Sequence, residues 1–273
     1  MTHHDTAVSG WVLFEAVVAL TLVIAAVGYG TALWAARGRS RWPGHRTLFW
    51  YVGLGCVGAG LTGPLADAAQ TGFTAHMGTH LLVGMIGPLL LVLAAPVTLV
   101  LRALPVERAR VLSRVLSVPI VRVLTHPVTT GILNTGGLWV LYTTGLYQLM
   151  HSSVLVHALV HIHIFAAGYL FTASLIGVDP NRHRASIVVR SAVLVVFIAA
   201  HSILAKWLYA HPPAGIQAAD AEAGAQLMYY GGDVVDIALI ILLLAGWHHS
   251  TRPRPNPRRH TTPTPHSSCR PAT

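Results

Sequence analysis

Two histidine pairs spaced four residues apart, His76/His80 and His157/His161, lie in otherwise apolar stretches of the chain. Residues four apart share one helix face, so each pair presents two imidazoles toward the same point. Imidazole is a ligand for copper, zinc, nickel and iron. An ionisable side chain inside a bilayer is costly and marks a functional site by default. His201 stands in a later apolar stretch, and Asp233 and Asp236, three apart, follow in the last one. These aspartates can ligate a metal, or accept a ring N–H and so orient an imidazole. Met77, Met85, Met150 and Met228 fall at similar positions within their stretches, and a thioether favours Cu(I). The set lacks the cysteines of a closed structural zinc site.

The elements that position these residues are expected to be membrane helices. The chain is 53% hydrophobic and only 10% charged. Seven apolar stretches approach the roughly 20 residues that span a bilayer. They lie near 11–36, 48–65, 77–101, 128–149, 154–177, 187–208 and 227–247. Backbone polar groups in lipid must be satisfied within their own segment, so the fold class expected is all-α, a polytopic membrane protein of seven helices. The first stretch is too long for a signal-peptide core and ends in Trp34 and arginines, so it is expected to be retained. Residues 1–10 form a short extracytoplasmic N-terminus, 11–250 the membrane domain and 251–273 a basic tail. That tail, rich in Pro, Arg, Thr and His, is expected to be a disordered cytoplasmic extension.

A net charge of +9 invites a nucleic-acid partner, but its distribution argues otherwise. The 17 arginines fall on alternate connections: four after the first stretch, five after the third, three after the fifth and five after the seventh. This positive-inside pattern orients seven spans with the N-terminus outside and the C-terminus inside. The basicity reads as topology, and no nucleic acid is implied. The same topology places both histidine pairs, His201, Lys206, Asp233 and Asp236 at one depth, in the outer half. The inner half is expected to be nearly free of polar residues.

Several readings of this constellation stay open: a metal site, a proton relay or interhelical hydrogen bonding, and haem ligation. Haem fits least, because axial ligation needs one histidine from each side, which adjacent histidines of one helix do not supply. The aspartate pair can instead neutralise Lys206 or a protonated histidine. His126, before Pro127, reads as a helix start, and His163 points to a different face from His161. Gly55, Ala59 and Gly63 form a small-residue stripe that lets another helix approach. Residues 105–116 alternate apolar and arginine positions at helical spacing, as in a helix lying among lipid headgroups or an ordinary basic loop. His3 or His4 near a free amine can build a square-planar Cu(II) site. Cys56 reads as a packing residue; His260, His266 and Cys269 are isolated in the tail. Hydrolase, phosphate-loop and dinucleotide motifs are absent, so no enzyme is expected.

The run His76-Met77-Gly78-Thr79-His80-Leu81-Leu82, with Gly87-Pro88-Leu89 and Ala95-Pro96 after it, resembles the third-span region of the seven-span CtaG-like cytochrome c oxidase assembly proteins. His126-Pro127, the stretch 157–171 and Asp220-Ala-Glu-Ala-Gly224 with Met228 and Gly231-Gly232 are similar to other parts of that family. The resemblance covers roughly residues 48–247. It implies a bacterial plasma membrane location, a cytochrome c oxidase subunit as partner, and copper supplied to the oxidase active-site centre. It implicates His76, His80, His161 and Asp220; His157, His201, Met77, Asp233 and Asp236 come from the residues alone. Some relatives carry a fused copper-import-like domain, which is not expected within these residues. The alternatives are a metal or proton transporter using the same His/Asp set, or a b-type cytochrome.

Overall fold

The computed structural model describes residues 2–39, 41–179 and 184–251, with side chains from residue 10 onward. His3 and His4, and the tail beyond residue 251 with His260, His266 and Cys269, fall outside the described side chains.

The described residues are helical, with no strand. In chain order the helices are α1 (Thr2–Ala36), α2 (Gly44–Leu61), α3 (Pro64–Ala69) and α4 (Phe73–His80). A π-helical segment (Leu81–Ile86) leads from α4 into α5 (Gly87–Leu93) and α6 (Pro96–Ala103). Then follow α7 (Val106–Val115), α8 (Pro119–Leu124), α9 (Pro127–Thr143), α10 (Leu146–Ser152), α11 (Val154–Ile176), α12 (Ile187–Ala210) and α13 (Ala218–Thr251). Five helical stretches are long and apolar enough to cross a membrane: Gly10–Ala36, Phe73–Ala103, Val154–Ile176, Ile187–Ala210 and Ala218–Thr251. The other two expected spans are helical as α2, 18 residues, and α9, 17 residues, at the short end of the spanning range.

The third expected span is not one α-helix. It widens into the π turn directly after His80 and breaks at Ala95, the one non-glycine residue with positive φ (52°) among those described. Pro96 disfavours a right-handed helical conformation at Ala95, and the left-handed one costs roughly 1–2 kcal/mol. Backbone groups freed by a break at membrane depth need partners. The Tyr29 hydroxyl donates to Ala94 O at 3.2 Å, and Asp179 Oδ1 accepts from Thr98 N–H at 2.8 Å and from the Thr98 hydroxyl at 2.6 Å. A second aspartate works the same way at the other end of this span. Asp220 Oδ2 accepts from Phe73 N–H at 2.6 Å, and its Oδ1 from Thr74 N–H at 3.1 Å and the Thr74 hydroxyl at 2.6 Å. The starts of both α4 and α6 are thus capped by carboxylates from distant helices or loops.

Glycines set the closest crossings. A Cβ on Gly168 of α11 would collide with the Gly84 carbonyl oxygen of the π turn, and one on Gly84 would lie 2.9 Å from Ile164 Cγ2. The expected stripe Gly55, Ala59 and Gly63 is not the packing face: nothing lies near Gly55 or Gly63, and Ala59 is exposed. The approach uses Gly53 and Gly60, seven residues and about two turns apart, where a Cβ would stand 2.9 Å from Leu91 Cγ and 2.6 Å from Val83 Cγ2. Sequence spacing finds small-residue stripes, but not which one meets a neighbour.

The half expected to lack polar groups contains several. Thr130 and Ser174 share a 3.1 Å hydrogen bond, and Arg190 Nη1 donates to Leu175 O at 2.7 Å. Arg184 Nη2 donates to Ile176 O at 2.5 Å, so two guanidiniums close the C-terminus of α11. These groups satisfy carbonyls locally.

Candidate functional site

α4 carries His76, Met77 and His80; α11 carries His157 and His161; α12 carries His201; α13 carries Asp233 and Asp236. Of these, all but Asp233 are buried, and Asp233 is half-buried. The two histidine pairs lie in one buried region: His76 is within electrostatic reach of His161, His157, His80 and His151, and His80 within reach of His201 and His161.

Three groupings make up the cluster. In the first, His76 Nε2 lies 3.1 Å from the Tyr142 hydroxyl, which also stands 3.9 Å from Met77 Sδ. Phe73, Tyr147 and His151 surround the His76 ring, with Tyr147 at 5.1 Å and His151 at 5.8 Å between centroids. Met77, Met150 and Met228 are fully buried in the same core cluster as Phe73 and Tyr142. Met85 sits in a different cluster, with Phe171 and Phe197.

In the second, the His80 and His201 rings stack at 6.1 Å, and Phe197 stacks on His201 at 5.7 Å. Gly232 of α13 presses on His201: a Cβ there would lie 2.6 Å from Cε1. Asp236, one turn further on, shares that helix face. Both His80 nitrogens, His201 Nε2 and both Asp236 oxygens are buried without a hydrogen-bond partner. Unpartnered buried polar atoms cost on the order of 1–3 kcal/mol each, and so many in one place mark a site with work to do.

In the third, His157 and His161 lie 4.1 Å apart between centroids, with Trp11 and Phe14 edge-on to His157 at 4.9 and 5.1 Å. His161 Nδ1 lies 2.9 Å from His157 O. Only an N–H can bond a carbonyl, so Nδ1 carries the proton and Nε2 keeps its lone pair for another partner. His161 also lines a 550 Å³ apolar cleft between α1, α2 and α11.

As positioned, no three His, Cys, Asp or Glu side chains among the described residues converge closely enough to hold a metal ion. The set is two- and one-donor groupings in a common buried region. Lys206 is not paired with the aspartates; its Nζ lies 5.2 Å over the Tyr229 ring. His126 is the N-cap of α9, its Nδ1 accepting from Val128 N–H at 3.4 Å. His163 points away, to Leu133 O at 3.1 Å. Sequence reasoning missed Tyr142, Tyr147 and His151. Their one signal was position, at the ends of α9 and α10 next to the α11 histidines. Asp220 joins the site only indirectly, through the cap on the helix that carries His76 and His80.

Residues 27–250 match the family described as cytochrome c oxidase caa3 assembly factor (Caa3_CtaG). The chain belongs to the Caa3_CtaG family. The match covers every described residue of the histidine cluster except Trp11 and Phe14. Curated relatives include an uncharacterised protein of Mycobacterium bovis and one of Mycobacterium tuberculosis, each 29% identical over 179 residues, 63% of this chain. A third, from Mycobacterium leprae, is 27% identical over 200 residues, 69% of this chain. The chain spans only 27–30% of the length of these curated relatives. No solved structure matches it. That family is described as an assembly factor of cytochrome c oxidase, and the long apolar helices of this chain agree with a multi-pass membrane protein.

Proposed function

We propose that this protein holds copper, as cargo, in the buried histidine cluster and passes it to a nascent cytochrome c oxidase subunit. The observation that carries the reading is the set of unpartnered buried donors from three different helices, His80, His201 and Asp236, in a member of an oxidase assembly family. Imidazoles with a neighbouring thioether suit copper. His161 Nε2 and the His76–Tyr142–Met77 group supply further donors at the same depth. Few preformed ligands suit a carrier better than a storage site, since handover proceeds by ligand exchange. Asp236 offers a carboxylate with no hydrogen bond of its own, and no covalent catalysis is involved. In this reading α2 and α9 complete seven spans, the arginine-bearing connections face the cytoplasm, and the cluster lies in the outer half of a bacterial plasma membrane.

His80→Ala or His161→Ala is expected to lower oxidase activity and oxidase copper content without lowering the abundance of the protein itself. Normal oxidase copper in both variants would sink the proposal. Elemental analysis of purified protein, beside a His76/His80/His161 triple alanine variant, checks the binding step directly. A transporter or permease is the competing reading, favoured by the buried, partnerless Asp236 carboxyl. Copper or proton flux in proteoliposomes separates the two.

A further inference from the structure

The first helix touches the rest of the protein on either side of the 550 Å³ cleft between α1, α2 and α11. At one end Gly10 sits beside Val154, and Phe14 lies edge-on to His157 at 5.1 Å between centroids. At the other the Tyr29 ring stacks on Trp50 at 4.7 Å. Between these contacts the wall is apolar, with Val18 and Leu22 from α1, Leu54 and Val57 from α2, and Ile162 and Phe165 from α11. No Asp, Glu, Lys or Arg lines it. Val17 and Ile162, 53% and 64% exposed, edge the cleft. It therefore opens sideways, on the surface that long apolar helices turn to lipid.

One polar atom answers to this space. His161 is 5% exposed, and its Nδ1–H is taken by His157 O. Nε2 is left with a lone pair and no hydrogen-bond partner. The unpartnered nitrogens of His80, His157 and His201 are sealed inside the protein, whereas His161 Nε2 is not. The cleft is where His161 meets open space. A volume of 550 Å³ with apolar walls and a single directed polar atom has the make-up of a small-molecule site, which typically measures roughly 300–1,000 Å³.

We propose that the cleft binds a membrane-soluble phenol or hydroquinone, its hydroxyl donating to His161 Nε2 and its apolar tail lying toward Tyr169. A lone pair calls for a donor. A carboxylate or phosphate head has no proton to give at neutral pH and would enter a cleft without a cation; an ammonium head would enter without an anion. A neutral hydroxyl meets neither cost. Phe14 and Phe165 line the cleft near His161, and aromatic side chains pack well on a flat ring. Tyr169 lies eight residues beyond His161 on α11, roughly 12 Å along the axis, which leaves length for a tail. The inference does not rest on copper handling and is tested on metal-free protein. Nε2 has one lone pair, so it serves this ligand or a metal at any one time, not both.

The test is equilibrium binding of tritiated decylhydroquinone, kept reduced under argon, to the metal-free full chain in phosphatidylcholine nanodiscs. Saturable binding above that of empty nanodiscs is expected. Unlabelled decylhydroquinone should displace the probe at roughly fivefold lower concentration than its dimethyl ether, which has the same ring and tail but cannot donate; one net hydrogen bond is worth about that factor. Val18 stands one turn beyond Phe14 on α1, level with His161, and lines the cleft. Val18→Trp is expected to fill the space and weaken binding at least about tenfold. Leu13→Trp, on a 64% exposed face of the same helix that does not line the cleft, is expected to leave binding unchanged. No saturable binding, equal displacement by the ether or by dodecanol, or undiminished binding in Val18→Trp would overturn the proposal and leave the cleft to ordinary lipid chains. The hydroquinone–ether comparison on the unmodified protein decides the matter even if a variant fails to fold.

Discussion

Asp220→Ala tests how the histidine-bearing helix is held. The Asp220 carboxylate accepts three hydrogen bonds from the start of α4, at 2.6, 3.1 and 2.6 Å. Hydrogen bonds to a charged group contribute roughly 1.5–3 kcal/mol each when buried, which would sum to well above 4 kcal/mol. Asp220 is only part-buried, however, so water replaces much of what the mutation removes. The measured range for helix caps, roughly 0.5–2 kcal/mol, is the better guide. We expect about 2 kcal/mol for Asp220→Ala and about half that for Asp220→Asn, which keeps one acceptor oxygen and loses the other. Thr74→Val removes the shared hydroxyl, which also donates to Asp220 O at 3.1 Å. If the carboxylate and hydroxyl act as one cap, Asp220→Ala with Thr74→Val is less damaging than the sum of the single changes, by about 1 kcal/mol. Equilibrium unfolding of purified protein in detergent, monitored by tryptophan fluorescence, gives the four values of the cycle. Additivity within about 0.3–0.5 kcal/mol, or an Asp220→Ala variant as stable as the parent, would refute the capping argument. Oxidase copper content in cells carrying Asp220→Asn should fall less than in cells carrying His80→Ala, because the aspartate positions the helix and supplies no donor.

Two glycines give further outcomes. Gly168→Ala is expected to cost about 3 kcal/mol, at the upper end of overpacking effects, because its Cβ meets the rigid Gly84 carbonyl and not a movable side chain; unfolding in detergent measures this. Gly232→Ala drives a methyl into the His201 ring, so it should lower copper retained by the purified protein at least as much as stability, and a variant with wild-type copper binding would count against His201 as a donor.

The aspartate caps show why the site was only partly legible in the sequence. Four-residue histidine spacing is a local property of a helix, so the pairs His76/His80 and His157/His161 could be recognised before any packing was known. Thr74 and Asp220 are 146 positions apart, and Thr98 and Asp179 are 81 apart; no periodicity links them. Tyr142, Tyr147 and His151 were passed over for a related reason. Each is ordinary in its own segment and becomes part of the site only where α9 and α10 fold against α4. The same holds for the small-residue stripe, where Gly53 and Gly60 and not Gly55 and Gly63 meet the neighbouring helix.

The amino-acid sequence by itself determined the helical class, the apolar segments and the histidine spacing, because each follows from short-range composition and the 3.6-residue repeat. It also carried the family motifs in their order. Only the tertiary structure decided that the two histidine pairs share one buried region, that His80, His201 and Asp236 are left buried without partners, and that the third span breaks at a π turn and at Ala95. Those outcomes depend on which helix faces meet, and that is set by long-range contacts between glycines, aspartates and aromatic rings that no local pattern encodes.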